Sequence, residues 1–465
     1  MQLKSLQKKT LPTPPKSVRS LIGPSFILIG LGLGTGELIL WPYLVANWGL
    51  GIIWGAALGI TLQFFLNMEI ERYALANGES VFVGFARLFK WLPYWFVLST
   101  LLAWSWPGFS GAAAQVLSPI LGMEDTRYIA ILMLLIVGLT LTFGPVLYKT
   151  VESFQKILIL VGIPIIVIIV VLVAELSDYA KLMEGLAGIG EGYYFIPKGL
   201  PLMAFLAAFA YSGAGGNLNL AQSFYIKEKG YGMGKYSGKI TSLVTGKSEK
   251  VDIEGTTFEP NKKELAKFNK WWKMINIEHL LIFWGLGLLT ILLLAVLSYA
   301  TTYGHAGNAE GLNFVFTQAK VVSSEIGKFW GAALLVITSL MLFSTQLAVI
   351  DASGRIVSEN IALIKRKKVK GSDIPKFYYA TIWVLIVFGV LVFLVDLAQP
   401  AALIITGAVL NAFCMFVFSG LLVKLNTKLL PKQIHPSLVR KLIIYATFVF
   451  FGVFSALVFF DKVIK

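Results

Sequence analysis

Residues Gly30 to Pro42 read G-L-G-L-G-T-G-E-L-I-L-W-P and lie inside the first apolar segment long enough to cross a bilayer. Glycines at alternate positions, Gly30, Gly32, Gly34 and Gly36, strip that stretch of side chains, and each costs about 1 kcal/mol against Ala inside a helix. Glu37 then sets a carboxylate near the membrane midplane. A charge at that depth costs at least ~2.5 kcal/mol, so it is expected to face a partner, water or a substrate and not lipid. Backbone freed by a break survives in a membrane only where protein or a water-filled cavity satisfies it, which makes a broken helix a natural binding site. The stretch therefore predicts a broken helix that carries a site. The plainer alternative is that the glycines only allow close packing and Glu37 caps a half-helix.

The rest of the chain supplies the setting. Its 465 residues are 57% hydrophobic and 14% charged, with a mean hydropathy of +0.75, which excludes a soluble enzyme and leaves no room for a separate large domain. Eleven spans are expected, at 21–47, 51–74, 94–117, 127–146, 153–176, 199–227 with a break, 276–302, 325–358, 376–397, 400–427 and 438–460. A net charge of +15 raises the question of nucleic acid, but the Lys and Arg sit in connections between apolar runs and read as topology signals. They collect in alternate connections: Arg87 and Lys90, Lys149 and Lys156, eleven Lys from Lys227 to Lys273, Lys365 to Lys370, and Lys424 to Lys441. By the positive-inside rule the N-terminus lies in the cytoplasm and the C-terminus outside the cell membrane. Residues 1–20 read as a basic, proline-containing cytoplasmic tail with no cleavable leader, ahead of one transmembrane domain over 21–465. The single cysteine, Cys414, excludes an intrachain disulfide.

The sixth span repeats the logic of the first. It reads A-Y-S-G-A-G-G-N-L-N-L-A-Q-S from Ala210 to Ser223, with glycines followed by amides. Breaks in the first and sixth spans are what an inverted repeat of five plus five helices brings face to face. Half-helices starting near Gly36 and Asn217 would present free N–H groups and positive dipole ends.

Between Tyr231 and Lys273 lies the one polar insertion, in which two alternating runs flank a Gly-Lys-Ser-Glu turn and predict a β-hairpin. Its T-G-K-S lacks the glycine spacing and the following helix of a phosphate loop. Phe268, Trp271 and Trp272 read as an interfacial anchor, and Glu278 and His279 as lying at the interface. Glu69 with Arg72, and Asp351 with Arg355, have the spacing of local ion pairs.

With these residues in place, the sequence resembles the Nramp family of proton-coupled divalent-metal transporters. The likeness rests on I-G-P at Ile22 to Pro24, W-G-L-G-I-I-W at Trp48 to Trp54, Q-x(7)-E-R-Y at Gln63 to Tyr73, and S-G-A at Ser212 to Ala214, in that order along eleven spans. It implies an all-α membrane protein of the LeuT type, two inverted repeats of five helices plus an eleventh, with helices 1 and 6 broken. It also implies alternating access, no enzymatic activity and no cofactor. The departures fall at the site. The family's Asp-Pro-Gly-Asn lands on Gly34, Thr35, Gly36 and Glu37, and its Met-Pro-His falls around Gly215 and Gly216 before Asn217. Without a thioether, the remaining carboxylate, amide and carbonyl oxygens suit a harder ion such as Mg²⁺ or Mn²⁺.

The expected substrate site comprises Gly34, Thr35, Gly36, Glu37, Gly213, Ala214, Gly215, Gly216, Asn217, Asn219, Gln222 and Gln346, with Glu37, Asn217 and Asn219 as metal ligands and Glu37 as the coupling proton site. G-T-G-E also looks like the Gly-x-Gly motif with which amino-acid transporters meet a substrate carboxylate, so a small organic cation or amino-acid-like solute stands as the alternative cargo. A membrane sensor that binds without transporting is the third reading.

Overall fold

The computed structural model describes residues 3–144, 147–238, 240, 252–309, 311–365 and 373–463. Among them, eight helices are long and apolar enough to cross a membrane: Pro24–Trp48 (helix 1), Leu50–Asn77 (helix 2), Leu147–Val173 (helix 5), Lys262–Thr302 (helix 7), Lys328–Ile364 (helix 8), Ile374–Leu394 (helix 9), Pro400–Lys428 (helix 10) and Leu438–Phe460 (helix 11). Arg127–Phe143 (helix 4) is shorter. Two spans are split: Leu92–Trp104 with Gly108–Leu121 (helix 3), and Leu202–Ala210 with Gln222–Lys229 (helix 6). These helices fall along the eleven stretches expected from hydropathy, eight of them long and apolar enough to cross a membrane. Helices 1 and 8 form the centre, with 94% and 83% of their apolar windows buried, whereas helix 11, at 22%, lies at the rim.

Helix 1 starts with Pro24 in its first turn, where a missing N–H costs nothing, and ends at Gly49, whose φ of 76° stops propagation. Its interruption differs from the expected gap. Residues Leu33–Leu40 form a π-helical stretch, and the Trp41 N–H still bonds to the Gly36 carbonyl. Gly36 therefore begins no half-helix. A widened turn keeps the backbone hydrogen-bonded, which glycine propensity alone does not predict.

The glycines are used instead for contact. A Cβ at Gly30 would enter the Gln155 side chain of helix 5, one at Gly32 would meet the Gly213 backbone at 3.0 Å, and those at Gly34 and Gly36 would strike Thr345 of helix 8 and the Tyr211 carbonyl. All four glycines thus stand at close contacts with helices 5, 6 and 8, which leaves Glu37 to be explained.

Helix 6 does come apart. Its first half stops at Tyr211, Gly213 and Gly215 take φ of 157° and 75°, and a 3₁₀ turn over Gly216–Ala221 precedes the second half. The second half starts at Gln222, five residues later than expected. Helix 3, expected to be continuous, breaks at Ser105 to Pro107. Pro107 supplies no N–H there, and local groups take up carbonyls: Trp106 Nε1 donates to Leu102 O (2.9 Å), and Ser110 Oγ to Pro107 O (3.0 Å).

The N-terminal segment is held along the face where helix 1 begins. Gln7 and Lys8 pair in parallel with Thr256 and Thr257. Leu11 is fully buried, its N–H donates to Glu264 Oε2 (2.5 Å), and Trp271 Nε1 donates to Pro12 O (2.8 Å). Trp271 and Phe268 are consequently buried, and Trp272 lies beneath the Arg72 guanidinium at 3.9 Å, so the expected lipid anchor is a protein contact. Most of the expected hairpin, with its T-G-K-S turn, lies outside the described residues; Thr256 and Thr257 at its end pair with the N-terminal segment. Deleting residues 1–15 should lower the melting temperature of detergent-purified protein by several degrees with helix content unchanged. An unaltered melt would show that these contacts add nothing to stability.

Candidate functional site

Glu37 lies within the π-helical stretch, fully buried, and neither carboxylate oxygen has a hydrogen-bond partner among the described residues. Its Oε1 lies 3.6 Å from the point where a Cβ on Gly287 of helix 7 would stand, and Ile60 and Ile29 border the same point at 2.8 and 3.5 Å. Burying an ionised, acceptor-only group without donors is costly, so Glu37 is the buried group whose compensation most needs explaining.

Around it the two interruptions meet, as the inverted repeat requires. Gly32 abuts Gly213, and Gly36 abuts Tyr211 and Ser212. Ser212 Oγ accepts from Trp41 Nε1 (2.9 Å) and donates to Ala208 O (2.9 Å). Gln63 of helix 2 caps the open end of helix 6, donating to Ala210 O (3.1 Å) and accepting from the Gly215 N–H (3.4 Å). Thr345 of helix 8 accepts from the Gly34 N–H (3.0 Å) and donates to Gly30 O (2.9 Å). Thr345, with Ser344 and Gln346, was legible as a polar group deep in helix 8 able to line a cavity, and Gln63 as part of a motif, but neither as a group closing a helix end. A Gln and a Thr in otherwise apolar spans were the available clue.

The remaining site residues disperse. Asn217 Nδ2 donates to Ser99 (2.8 Å) and Thr100 (2.9 Å) of helix 3, leaving Oδ1 free, while both amide atoms of Asn219 lack partners among the described residues. Asn411 of helix 10 adds a third amide, whose Nδ2 donates to Tyr211 Oη (3.1 Å) and whose Oδ1 is unpartnered and borders Gly216. Ala214 is buried within the break. Gln346 Oε1 accepts from the Ser110 N–H of helix 3 (3.3 Å), and Gln222 donates to Glu71 (2.7 Å), one layer nearer the N-terminal face. The expected trio of Glu37, Asn217 and Asn219 is thus two groups of free acceptors, a carboxylate against helix 7 and amides against helices 3 and 10. Among the described residues no cluster of three or more His, Cys, Asp or Glu has metal-site geometry.

Closure differs between the two faces. On the N-terminal face, Lys229 and Lys156 both reach Glu152 Oε1 (2.7 and 2.6 Å) and Ile22 O, tying helices 5 and 6 to the start of helix 1. Glu69 chelates Arg72 (2.7 and 3.0 Å), Arg440 joins it at 3.3 Å, and Asp351 pairs with Arg355 (2.9 Å), as spacing predicted for the two local pairs. On the opposite face a cavity of about 590 Å³ opens beside Gln115, Asp125, Arg127, Asp396 and Gln399. The Arg127 guanidinium holds the exposed Asp125 carboxyl below its usual range, at about 2, so it stays ionised there.

No family model matches the sequence, and no curated protein matches it. Solved structures do match. A point mutant of a manganese transporter from Eremococcus coleocola superposes with a TM-score of 0.69 at 12% identity, over 98% of this chain and 90% of that one. The same transporter in complex with an aromatic bis-isothiourea substituted compound gives 0.68 at 13%, with the same coverage. Mhp1, a nucleobase-cation-symport-1 family transporter in a closed conformation with bromovinylhydantoin bound, gives 0.52 at 16%, over 97% and 92%. The chain thus has the fold that the sequence resemblance implied, a LeuT-type multi-pass helical bundle over nearly its whole length.

Proposed function

We propose that the protein is a secondary transporter working by alternating access, and that its cargo is a divalent cation of the Mg²⁺ or Mn²⁺ class. The observation that carries this reading is Glu37: a fully buried carboxylate with two unpartnered oxygens, in the interruption of helix 1 and beside the break in helix 6. A cation supplies what the bare carboxylate lacks; the free amide oxygens of Asn217, Asn219 and Asn411 are hard ligands of the kind such an ion prefers, held apart from Glu37 in this conformation and available to the ion as the bundles rock. The similarity to a manganese transporter supports the cargo class, and transporters with this architecture bind at the midplane and rock one bundle against the other. Glu37 also serves as the proton-coupling group, exchanging a proton for the ion. The N-terminal face is the cytoplasmic one, by the excess of Lys and Arg in its connections, and the cell membrane is the site of action.

The test is isothermal titration of the purified protein and its Glu37→Gln variant with Mg²⁺, Mn²⁺ and Ca²⁺, followed by flux in proteoliposomes. Saturable binding lost at least tenfold in the variant, with uptake that competing divalent ions block, is the expected result. No binding of any of the three ions would overturn the cargo and favour an organic solute at the amide cluster. Binding without flux would make the protein a sensor.

A further inference from the structure

A second buried polar cluster lies one layer nearer the N-terminal face than Glu37, where helices 1, 2, 6 and 7 meet. Ser25 Oγ is 2.5 Å from Glu278 Oε2 and 2.8 Å from His279 Nδ1, His279 Nδ1 is 3.2 Å from Glu71 Oε1, and Gln222 Nε2 donates to that same oxygen at 2.7 Å. All five side chains are buried, and Glu278, the least so, is 3% exposed. Among the described residues, no Lys or Arg side chain bonds either carboxyl of this chain of contacts, and Glu71 Oε2, Glu278 Oε1, Gln222 Oε1 and His279 Nε2 are unpartnered. Lys229, the cation that faces Glu278, is engaged by Glu152, so two carboxyls this deep require further positive charge, carried by a metal ion or by protons.

The geometry selects protons. Neighbouring oxygens around an octahedral Mg²⁺ at 2.0–2.1 Å stand ~3 Å apart, whereas Ser25 Oγ and Glu278 Oε2 are at 2.5 Å, the separation of a short O–H···O bond. Ser25 has one hydroxyl proton, yet it stands within reach of both Glu278 and His279 Nδ1. Each link must therefore be filled by a proton from Ser25, from the imidazole or from a carboxyl.

We propose that Glu278, Ser25, His279 and Glu71 form a proton-binding relay in which one proton passes between the two carboxyls. The step balances in protons. With His279 protonated on Nε2, the Glu278 carboxyl gives its proton to Ser25 Oγ while the Ser25 hydroxyl proton passes to Nδ1, leaving Glu278 ionised and the imidazole cationic. Nδ1 then gives its proton to Glu71 Oε1 and the imidazole is neutral again.

Helix 7 supplies the link toward the Glu37 site. Its own π-helical stretch, Leu280–Leu286, begins directly after His279, whose ring stacks on Phe283 at 4.7 Å, and the stretch ends at Gly287, opposite Glu37. Phe283 is fully buried, stacked on His279 and with its ring tip against Gly213 at the helix 6 break. Other ionisable groups at or next to the relay are Tyr148 and Glu152 of helix 5, and Lys229 and Tyr231 at and just beyond the end of helix 6; Glu228 is turned away to Arg355. Lys229 and Lys156 are already engaged by Glu152. Glu69 and Arg72, close to Glu71 in sequence, pair with each other, and Glu69 also with Arg440. The proposal rests on the transporter reading for what the proton drives, but not for whether it binds.

The chain has three histidines, so ¹⁵N-histidine solid-state NMR of the full-length protein in lipid resolves His279 once His279→Gln assigns it. Between pH 4 and 9 the wild-type His279 should keep its proton on Nε2 while its Nδ1 shift moves as the flanking carboxyls load and release a proton, and potentiometric titration should count one proton more than in Glu71→Gln or Glu278→Gln, each of which should flatten that Nδ1 response. Ser25→Ala should make His279 insensitive to Glu278→Gln. If either Glu variant fails to fold, the wild-type titration against Ser25→Ala decides. A His279 Nδ1 shift that stays constant at every pH in the wild type, with equal proton counts, would overturn the relay and leave Glu278 as an anion at the start of helix 1. No cargo enters the measurement, so it can fail while metal binding at Glu37 succeeds, and the reverse.

Discussion

Replacing Arg355 by Met is expected to destabilise the protein by ~3–5 kcal/mol, the cost of leaving buried carboxylates without their cation. Arg355 is fully buried in helix 8, and its Nε donates to both oxygens of Asp351 (3.0 and 2.9 Å). Its Nη1 donates to Glu228 at the end of helix 6, and Tyr378 Oη donates to Asp351 (2.7 Å). One guanidinium thus ties helix 8 to helices 6 and 9 on the N-terminal face. The conservative change Arg355→Lys would keep a point charge without the planar fork and should recover part of the loss. The diagnostic variant is Arg355→Met with Asp351→Asn and Glu228→Gln. Removing all three charges should restore most of the stability, because the penalty belongs to unpaired charge and not to lost packing. Thermal unfolding in detergent reads all of these, and a single Arg355→Met variant as stable as the wild type would refute the account.

What could be read in advance from the sequence divides along a physical line. Apolar length and charge asymmetry are local properties, and they placed the spans; the i,i+3 and i,i+4 pairs Glu69–Arg72 and Asp351–Arg355 were legible for the same reason. Glu37 stood out because a lone acid in an apolar run is expensive wherever the run folds. Its neighbours were illegible, since Gly287 lies far along the chain and glycine carries no polar signal. The relay escaped for the same reason: Ser25 and Glu278 are separated by 253 positions, and each alone reads as an ordinary helix-end residue. Glycine was the misleading signal. Its low helix propensity suggested an unwound helix 1, but in a densely packed bundle the same residue serves close approach, and tertiary contact prevailed over propensity. The split in helix 3 had a local sign in Pro107, masked by the apolar run on both sides. Leu11 could not be placed at all, because a proline-containing basic segment reads as solvated until its binding face is known.

Gly36→Ala should be the most damaging of the helix 1 glycine substitutions, and comparison with Gly34→Ala explains why. A Cβ at Gly34 would meet the Thr345 side chain and stand 3.2 Å from Met341 O, so part of the obstruction is a side chain. Overpacking of that kind costs ~1–3 kcal/mol. A Cβ at Gly36 would meet the Tyr211 carbonyl, its carbon at 2.6 Å and the Ser212 nitrogen at 3.2 Å, all backbone at the point where helix 6 stops. That carbonyl cannot recede without shifting Ser212, which holds Trp41 Nε1, and Gly213, which abuts Gly32. We expect Gly36→Ala to lose most of the folded, monodisperse yield in size-exclusion chromatography and any divalent-ion binding with it. Gly34→Ala should keep the fold with a lowered melting temperature, and the exchange Gly34→Ala with Thr345→Gly should recover part of the difference by moving the methyl across the contact. Equal tolerance of the two single substitutions would mean that the helix 6 backbone yields at Tyr211. Glu37 would then be held opposite the break by the π-helical geometry of helix 1 alone.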